Sequence, residues 1–166
     1  SIQWGHLASK DMVHWQDLPL ALQSEKGFYD ELGCWSGSGL VDKDGVPRIY
    51  YTAGNSNRFP NQAVALAQPE DTEEDPLLKK WKKYSSLIKE QDIGWLGEFR
   101  DPFVWIENDS YFMLVGTGDE HNGGGNAALY ASSDGLHWGS CGMLVDYDYE
   151  SNQRCGHVWE LPVLLP

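Results

Sequence analysis

The amino-acid sequence predicts an all-β fold, and its internal repetition favours a β-propeller. Short runs of apolar, β-branched or aromatic residues alternate with Gly, Asp and Asn, which is typical of strands joined by tight turns. The chain also carries the motif Ser-x-Asp-x-x-His-Trp twice, at residues 9–15 and 132–138. A β-sandwich could use such strands, but it would not explain a motif that recurs in register.

Three strands are predicted at residues 48–52, 111–115 and 127–131, each beside a turn signal such as Lys43-Asp44-Gly45. Residues 76–85 fit two alternatives, and these stay open at this point. Asp75 and Pro76 are suited to start a helix, whereas residues 80–84 could instead follow a loop as a strand.

The repeat unit is long for a propeller blade. A weaker copy of the motif ends at Trp81, between Trp15 and Trp138. These three tryptophans recur at intervals of roughly 60 residues and therefore mark successive units of four short strands. The predicted division is the end of a first blade over 1–32, a second blade over 33–98, a third over 99–156 and the start of a fourth over 157–166.

Composition excludes several classes of partner. Twelve Lys and Arg against 25 Asp and Glu give a formal charge of −13, so neither nucleic acid nor an anionic membrane is expected to bind.

The high aromatic content argues against disorder, since the chain has eight Trp, eight Tyr and five Phe. Three cysteines, an odd number, exclude a fully paired disulfide framework. No signal peptide opens the chain, which favours the cytoplasm, although a processed chain would have lost such a leader.

The residues that bear chemistry recur in phase with the blades. Three segments precede or begin a repeated hairpin, and each is predicted to be an inner strand beside the central channel. They are residues 33–38, 99–102 and 157–162. The interval of roughly 60 residues that separates the three repeated tryptophans also separates Ser36, Asp101 and Glu160. With Trp35 and Arg100, these side chains are expected to face one pocket. Paired carboxylates suit glycoside hydrolysis, in which one protonates the leaving oxygen while another stays ionised.

Four ordered motifs give the chain a family resemblance. They read Trp4-Gly-His-Leu-Ala-Ser-Lys-Asp-Met-Val-His-Trp, Gly33-Cys-Trp-Ser-Gly-Ser, Phe99-Arg-Asp-Pro and Trp159-Glu. In order and spacing they resemble glycoside hydrolase family 32, the invertases, inulinases, levanases and sucrose-6-phosphate hydrolases. Asn61-Gln62 resembles a further stretch of that family. The resemblance implies a five-bladed propeller and a retaining mechanism on β-fructofuranosides, without cofactor or metal.

The resemblance also implies roles for individual residues. Asp101 matches the transition-state stabiliser that holds two fructose hydroxyl groups, with Arg100 beside it. Glu160 matches the general acid/base. Trp35 and Ser36 match residues that line the fructose subsite, although Trp35 stands where the family has Phe.

Two departures from the family pattern affect these expectations. Leu161 stands where the family usually has Cys, next to the acid/base. The family nucleophile is the Asp of an Asn-Asp-Pro-Asn-Gly motif, which this sequence lacks. The chain is therefore expected to be part of a propeller and, in isolation, to have little or no hydrolase activity.

Other interpretations remain open from the sequence alone. The arabinan and xylan hydrolases share the five-bladed propeller, and fructosyltransferases share the family motifs. A non-catalytic sugar-binding or self-assembling propeller fragment is the alternative from another class. An incomplete ring would leave unpaired edges and an uncovered inner face, so a homo-oligomer formed through those edges is expected.

Overall fold

The computed structural model describes residues 1–92, 97–119, 124–145 and 156–164. Within these ranges the chain forms ten strands in three antiparallel sheets and no helix. The strands of the first sheet are β1 (Trp4–Ser9) and β2 (Trp15–Leu22). Those of the second are β3 (Gly33–Val41), β4 (Pro47–Gly54), β5 (Gln62–Pro69) and β6 (Trp81–Lys83). Those of the third are β7 (Glu98–Glu107), β8 (Ser110–Asp119), β9 (Gly124–Ser132) and β10 (Gly139–Met143).

Each strand pairs with the next one along the chain, so each sheet is a meander. The prediction of an all-β protein built from four-stranded antiparallel sheets is confirmed. Three predicted strands are also confirmed, since residues 48–52, 111–115 and 127–131 lie inside β4, β8 and β9. In the described part of the chain, no helix has the length and apolarity that a membrane span requires.

The second sheet is covered on both faces by its neighbours. Adjacent residues of a strand point to opposite faces, and in β4 both Tyr50 and Tyr51 are fully buried. Tyr50 packs in a cluster with Phe99, Met113 and other residues of the third sheet. Tyr51 packs in a second cluster that includes Leu22 of the first sheet. The three sheets therefore pack face to face, as the blades of a propeller do.

The repeated Ser-x-Asp-x-x-His-Trp motif forms the same turn in both copies. In the first, the Ser9 hydroxyl bonds Asp11, whose carboxylate accepts hydrogen bonds from the backbone N–H groups of residues 13 and 14 at 2.9 and 2.8 Å. Asp11 also contacts His14 Nδ1 at 2.7 Å. The second copy makes matching contacts through Ser132, Asp134 and His137. The bonds from His137 and the backbone hold the pKa of Asp134 well below its usual value.

The tryptophan of each motif marks the outermost strand of its sheet. Trp15 and Trp81 are the first residues of β2 and β6, and Trp138 immediately precedes β10. This position explains why the motif recurs once per sheet. The exact boundaries of the blades stay a prediction, and the expected end of the third blade falls largely on residues 146–155, outside the described residues.

Of the two alternatives for residues 76–85, the helix is wrong and the strand is correct. Residues 81–83 form β6, in which Trp81 pairs with Pro69. Leu78 adopts a φ of 52°, which is incompatible with a right-handed helix, and its N–H bonds the carbonyl of Asp75 at 2.9 Å. Pairing with the buried strand β5 thus outweighs the local helix-start signals.

Among the described cysteines, Cys34 is buried and Cys141 is exposed, and both are free thiols. Burial raises the pKa of Cys34 to about 12. It is therefore a small core side chain and not a nucleophile. Cys155 lies outside the described residues.

Candidate active site

The two inner strands β3 and β7 each break register near their starts. The shifts lie between Trp35 and Gly37 and between Arg100 and Phe103. A bulge inserts extra residues into one strand and bends it, and such bulges are over-represented beside active sites. The residues that fall within the two bulges include Ser36 and Asp101. Both line the same pocket.

The pocket has a volume of about 320 Å³. Its lining residues are Ile2, Trp35, Ser36, Arg100, Asp101, Glu160 and Leu161. All five residues predicted from the sequence to be catalytic or substrate-binding therefore lie together. The volume is near the lower end of the range for small-molecule sites, so the pocket suits a single sugar ring better than a long ligand.

Asp101 is a strained and nearly buried carboxylate. Its φ is 61° and only 7% of it is exposed. Its backbone N–H donates to Thr52 Oγ1 at 2.8 Å, and Thr52 in turn donates to the Ser36 carbonyl at 2.9 Å, which links the two bulges. Its Oδ2 accepts the backbone N–H of Leu161 at 3.0 Å. Burial raises the pKa of Asp101 above its ordinary value, although the Leu161 N–H and the Arg100 charge oppose this.

Arg100 is shared between two carboxylates. Its Nη2 and Nε donate to Glu160 Oε1 at 2.7 and 3.1 Å, while Nη1 donates to Glu98. The side-chain amide of Gln62 bonds the same two residues. Its Nε2 donates to Glu98, and its Oε1 accepts from Arg100 Nη1 at 3.4 Å. The same Oε1 also accepts the backbone N–H of Phe99 at 3.1 Å. The guanidinium is thus held on two sides, and it presents one edge to Glu160.

The segment that carries Glu160 is not the inner strand that the sequence predicts. Residues 156–164 form no strand, and their bonds to the third sheet include Trp159 N–H to the Thr117 carbonyl at 3.1 Å. Leu161 has a φ of 49°, which interrupts an extended backbone. The segment still reaches the pocket because it crosses the third sheet in close contact with Gly118. A Cβ on Gly118 would lie 2.3 Å from the His157 carbonyl oxygen, so only a glycine leaves room for this crossing.

The indole of Trp35 is fixed by close packing against glycine backbone. A Cβ on Gly33 would lie 2.5 Å from the ring, and one on Gly54 would lie 2.8 Å from it. The carbonyl of Trp35 accepts the indole N–H of Trp4 at 2.9 Å. The ring therefore lies in one orientation at the wall of the pocket.

Sequence reasoning missed several residues that build this site. Glu98 lies two residues before Arg100 on β7, so the two-residue period of a strand would have placed both on one face. Gln62 carried only the weak family resemblance of Asn61-Gln62. Thr52 and Ile2 reach the site from other elements, and no local pattern signals such a contact.

Residues 1–166 match the model of the glycosyl hydrolases family 32 N-terminal domain. The chain belongs to glycosyl hydrolase family 32. The resemblance drawn from the four motifs is therefore confirmed, and the chain belongs to a family of enzymes that hydrolyse glycosidic bonds.

Curated relatives within family 32 include two types of hydrolase. Sucrose-6-phosphate hydrolase of Klebsiella pneumoniae is 33% identical over 164 residues, covering 98% of this chain and 33% of the relative. Fructan 1-exohydrolase of Hordeum vulgare is 34% identical over 165 residues, covering 97% of this chain and 26% of the relative. The chain therefore spans about a third or less of the length of such relatives.

Solved family 32 structures share the fold. Fructan 1-exohydrolase IIa from Cichorium intybus superposes with a TM-score of 0.80 at 28% identity, over 97% of this chain and 29% of that one. A point variant of the same enzyme has been solved in complex with 1-kestose, with the same coverage and TM-score. A Bombyx mori β-fructofuranosidase shares the fold at a TM-score of 0.75 and 24% identity, over 99% of this chain and 32% of that one.

Proposed function

We propose that the pocket binds the fructosyl unit of β-fructofuranosides such as sucrose, fructo-oligosaccharides, inulin or levan. The observation that carries this proposal is the meeting of Asp101, Arg100, Glu160, Trp35 and Ser36 around one pocket in a member of family 32. A buried carboxylate accepts strong hydrogen bonds from sugar hydroxyl groups, and a flat aromatic ring supports the apolar face of a sugar.

In the whole enzyme, we propose that Glu160 is the general acid/base and Asp101 the transition-state stabiliser. Glu160 is exposed at the pocket and would give its proton to the leaving oxygen. Asp101 would stay ionised and hold two fructose hydroxyl groups, with Arg100 beside it. A retaining mechanism needs a further carboxylate as nucleophile, and the motif that supplies it in the family is absent from these 166 residues. We therefore expect the isolated chain to bind substrate and to release little or no fructose.

Calorimetric titration with fructose, arabinose and xylose tests the proposed ligand. We expect fructose to bind and the two pentoses not to bind. A preference for a pentose would support the arabinan or xylan alternative and would contradict a fructosyl site. An assay of fructose release from sucrose completes the test, since a robust rate from this chain would refute the proposed division of catalytic residues.

The affinity for fructose is expected to fall at acid pH. The carboxylate of Asp101 accepts strong hydrogen bonds from sugar hydroxyl groups only when it is ionised, and burial raises its pKa above the ordinary value of 3.8. Binding is therefore complete above the folded-state pKa and is lost as the pH falls through it, with a midpoint above 3.8. Dissociation constants measured from about pH 3 to about pH 7 give this midpoint. An affinity that does not vary across this range would contradict the role of Asp101.

We also propose that the chain self-associates through its uncovered surfaces. Leu7 and Leu20 of the first sheet are exposed, and Phe103, Trp105 and Phe112 stack side by side on the third sheet at centroid distances of 6.0 and 5.5 Å. The three stacked rings are half-buried, and apolar surface left partly or fully uncovered in this way favours association. Light scattering over a concentration series is expected to show a mass that rises above 18.7 kDa. A monomer that persists at the highest concentration would contradict this expectation.

A further inference from the structure

Arg100 is the one cation among the described residues that line the pocket, and carboxylates occupy it on two sides. Its Nε and Nη2 donate to Glu160 Oε1, and its Nη1 donates to Glu98. All three nitrogens of the guanidinium therefore already have acceptors. Arg binds a phosphate group through two parallel N–H donors, so a phosphate would have to displace a carboxylate from Arg100.

Glu98 is fixed beside Arg100 by the side-chain amide of Gln62. The Oε1 of Gln62 accepts the backbone N–H of Phe99 at 3.1 Å, and an N–H can bond only to the oxygen end of an amide. The Nε2 end is thereby directed at Glu98, to which it donates. The Glu98 side chain is 39% exposed and is not one of the described residues that line the pocket. Glu98 thus acts on a ligand through Arg100, which makes it a positioning residue.

The charges around the pocket do not cancel. Asp101 and Glu160 line the pocket together with Arg100, and Glu98 adds a third carboxylate to the single guanidinium. When the three carboxylates are ionised, one positive and three negative charges leave the cluster with a net charge of −2, that is 1 − 3. Repulsion of an anion by such a cluster acts over several ångströms, and salt weakens it.

We propose that Glu98 sets the charge specificity of the site, because it neutralises Arg100 and so makes the pocket select uncharged β-fructosides over phosphorylated ones. This inference rests on the proposed fructosyl site. When the fructosyl unit of sucrose fills that pocket, the glucosyl unit lies at its mouth beside Glu160, whose side chain is 61% exposed. In sucrose-6-phosphate the glucosyl unit carries a phosphate, which the net negative charge of the cluster repels. Sucrose has no charge and meets no such repulsion.

Calorimetric dissociation constants for sucrose and sucrose-6-phosphate test this inference. They are compared as a ratio for each protein, so that a change common to both ligands cancels. The wild-type chain is expected to bind sucrose about tenfold more tightly than sucrose-6-phosphate. Glu98→Gln keeps an acceptor oxygen for Arg100 and Gln62 but removes the charge, and it is expected to reduce the ratio to about threefold or less.

Glu107→Gln is a matched control for this variant. Glu107 is exposed at the other end of β7, so the substitution and the change in total charge are the same but lie far from Arg100. The ratio is expected to stay at the wild-type value. An equal fall of the ratio in both variants would show an effect of total charge and would refute the role of Glu98.

The salt dependence of the wild-type ratio is a second test and needs no variant. Raising the salt concentration from about 0.1 M to about 1 M shortens the Debye length from about 10 Å to about 3 Å. A preference that comes from charge repulsion is therefore expected to shrink over this range. A ratio that stays constant would indicate a steric cause and would contradict the inference.

The outcomes separate this inference from the proposed function. If the wild-type chain binds sucrose and sucrose-6-phosphate equally well, charge specificity is refuted and the fructosyl pocket stands. The same holds if Glu98→Gln leaves the ratio unchanged, which includes an equal weakening of both ligands. If the wild-type chain binds neither ligand, both the proposed function and the charge specificity are wrong.

Discussion

Replacement of Asp101 by asparagine is expected to weaken the binding of fructose by about 2 kcal/mol, or roughly 30-fold, because two charge-assisted hydrogen bonds become neutral ones. Asparagine is the right substitution for this purpose. Residue 101 has a φ of 61°, which Asn tolerates well, and the Asn side-chain oxygen can still accept the N–H of Leu161. The backbone of the bulge should therefore be preserved, and only the charge is lost.

The same variant is expected to be at least as stable as the wild-type chain at neutral pH. A carboxylate whose pKa is raised on folding disfavours the folded state once the pH is high enough to ionise it. Removal of the charge removes that cost, as happens where function is built at the expense of stability.

Asp109→Asn is a matched control for this experiment, because Asp109 also has a φ of 61° but lies exposed in the turn between β7 and β8. It should leave the affinity for fructose unchanged. Dissociation constants from calorimetry and midpoints from urea denaturation provide the two measurements. An Asp101→Asn chain that binds fructose as tightly as the wild type would contradict the proposed role of Asp101.

Replacement of Lys83 by methionine is expected to lower the free energy of unfolding by about 3–5 kcal/mol. Asp30 is fully buried between the first and second sheets, and Lys83 Nζ contacts its Oδ2 at 2.8 Å. The hydroxyl of Tyr51 donates to the same oxygen at 2.8 Å, and Cys34 Sγ does so at 3.3 Å. Without Lys83, the carboxylate would keep its neutral partners but lose its counter-charge.

The pKa of Lys83 supports this interpretation. Burial alone would lower it, but the hydrogen bonds to Asp30 and Glu25 outweigh burial and raise the pKa. A lysine with a raised pKa contributes stability that is present below its unfolded pKa, and this contribution is lost only as the pH rises through the folded value. The pair therefore contributes fully at neutral pH.

Urea denaturation of three variants checks this account. Lys83→Met alone should be strongly destabilised, whereas the double variant Asp30→Asn with Lys83→Met should recover much of the loss because no charge is then left unpaired. Lys82→Met, on the exposed side of the same strand, should change stability little. A loss below about 1 kcal/mol for Lys83→Met would show that the buried carboxylate does not depend on this lysine.

The parts of the structure that follow from local chemistry were predictable. The alternation and turn residues around 48–52, 111–115 and 127–131 specify strands, since each signal lies within a few residues of the element it creates. The repeated motif was predictable as a blade marker because Asp11 and Asp134 bond backbone groups only two and three residues away.

The parts of the structure that depend on contacts between distant residues were not predictable from the sequence. Residues 76–85 carry helix-start signals, but pairing of Trp81 with Pro69 decides their structure. The extended pattern of residues 157–162 predicts a strand, yet Leu161 turns toward Asp101 and donates its N–H to that carboxylate. Gln62 reaches Glu98 and Arg100 from the neighbouring sheet, so no spacing along the chain predicts its contacts with them.

The most direct test of the account is an NMR titration of isotope-labelled protein with fructose. In the proposed function, Trp35, Ser36, Arg100, Asp101 and Glu160 form one fructosyl site. The indole N–H signal of Trp35 and the Nε–H signal of Arg100 should then shift together with one dissociation constant. The indole signal of Trp15, at the start of the outer strand β2, should not move. Glucose at the same concentration should move none of them. Fructose that leaves the Trp35 and Arg100 signals unchanged, or glucose that shifts them equally, would contradict the central claim.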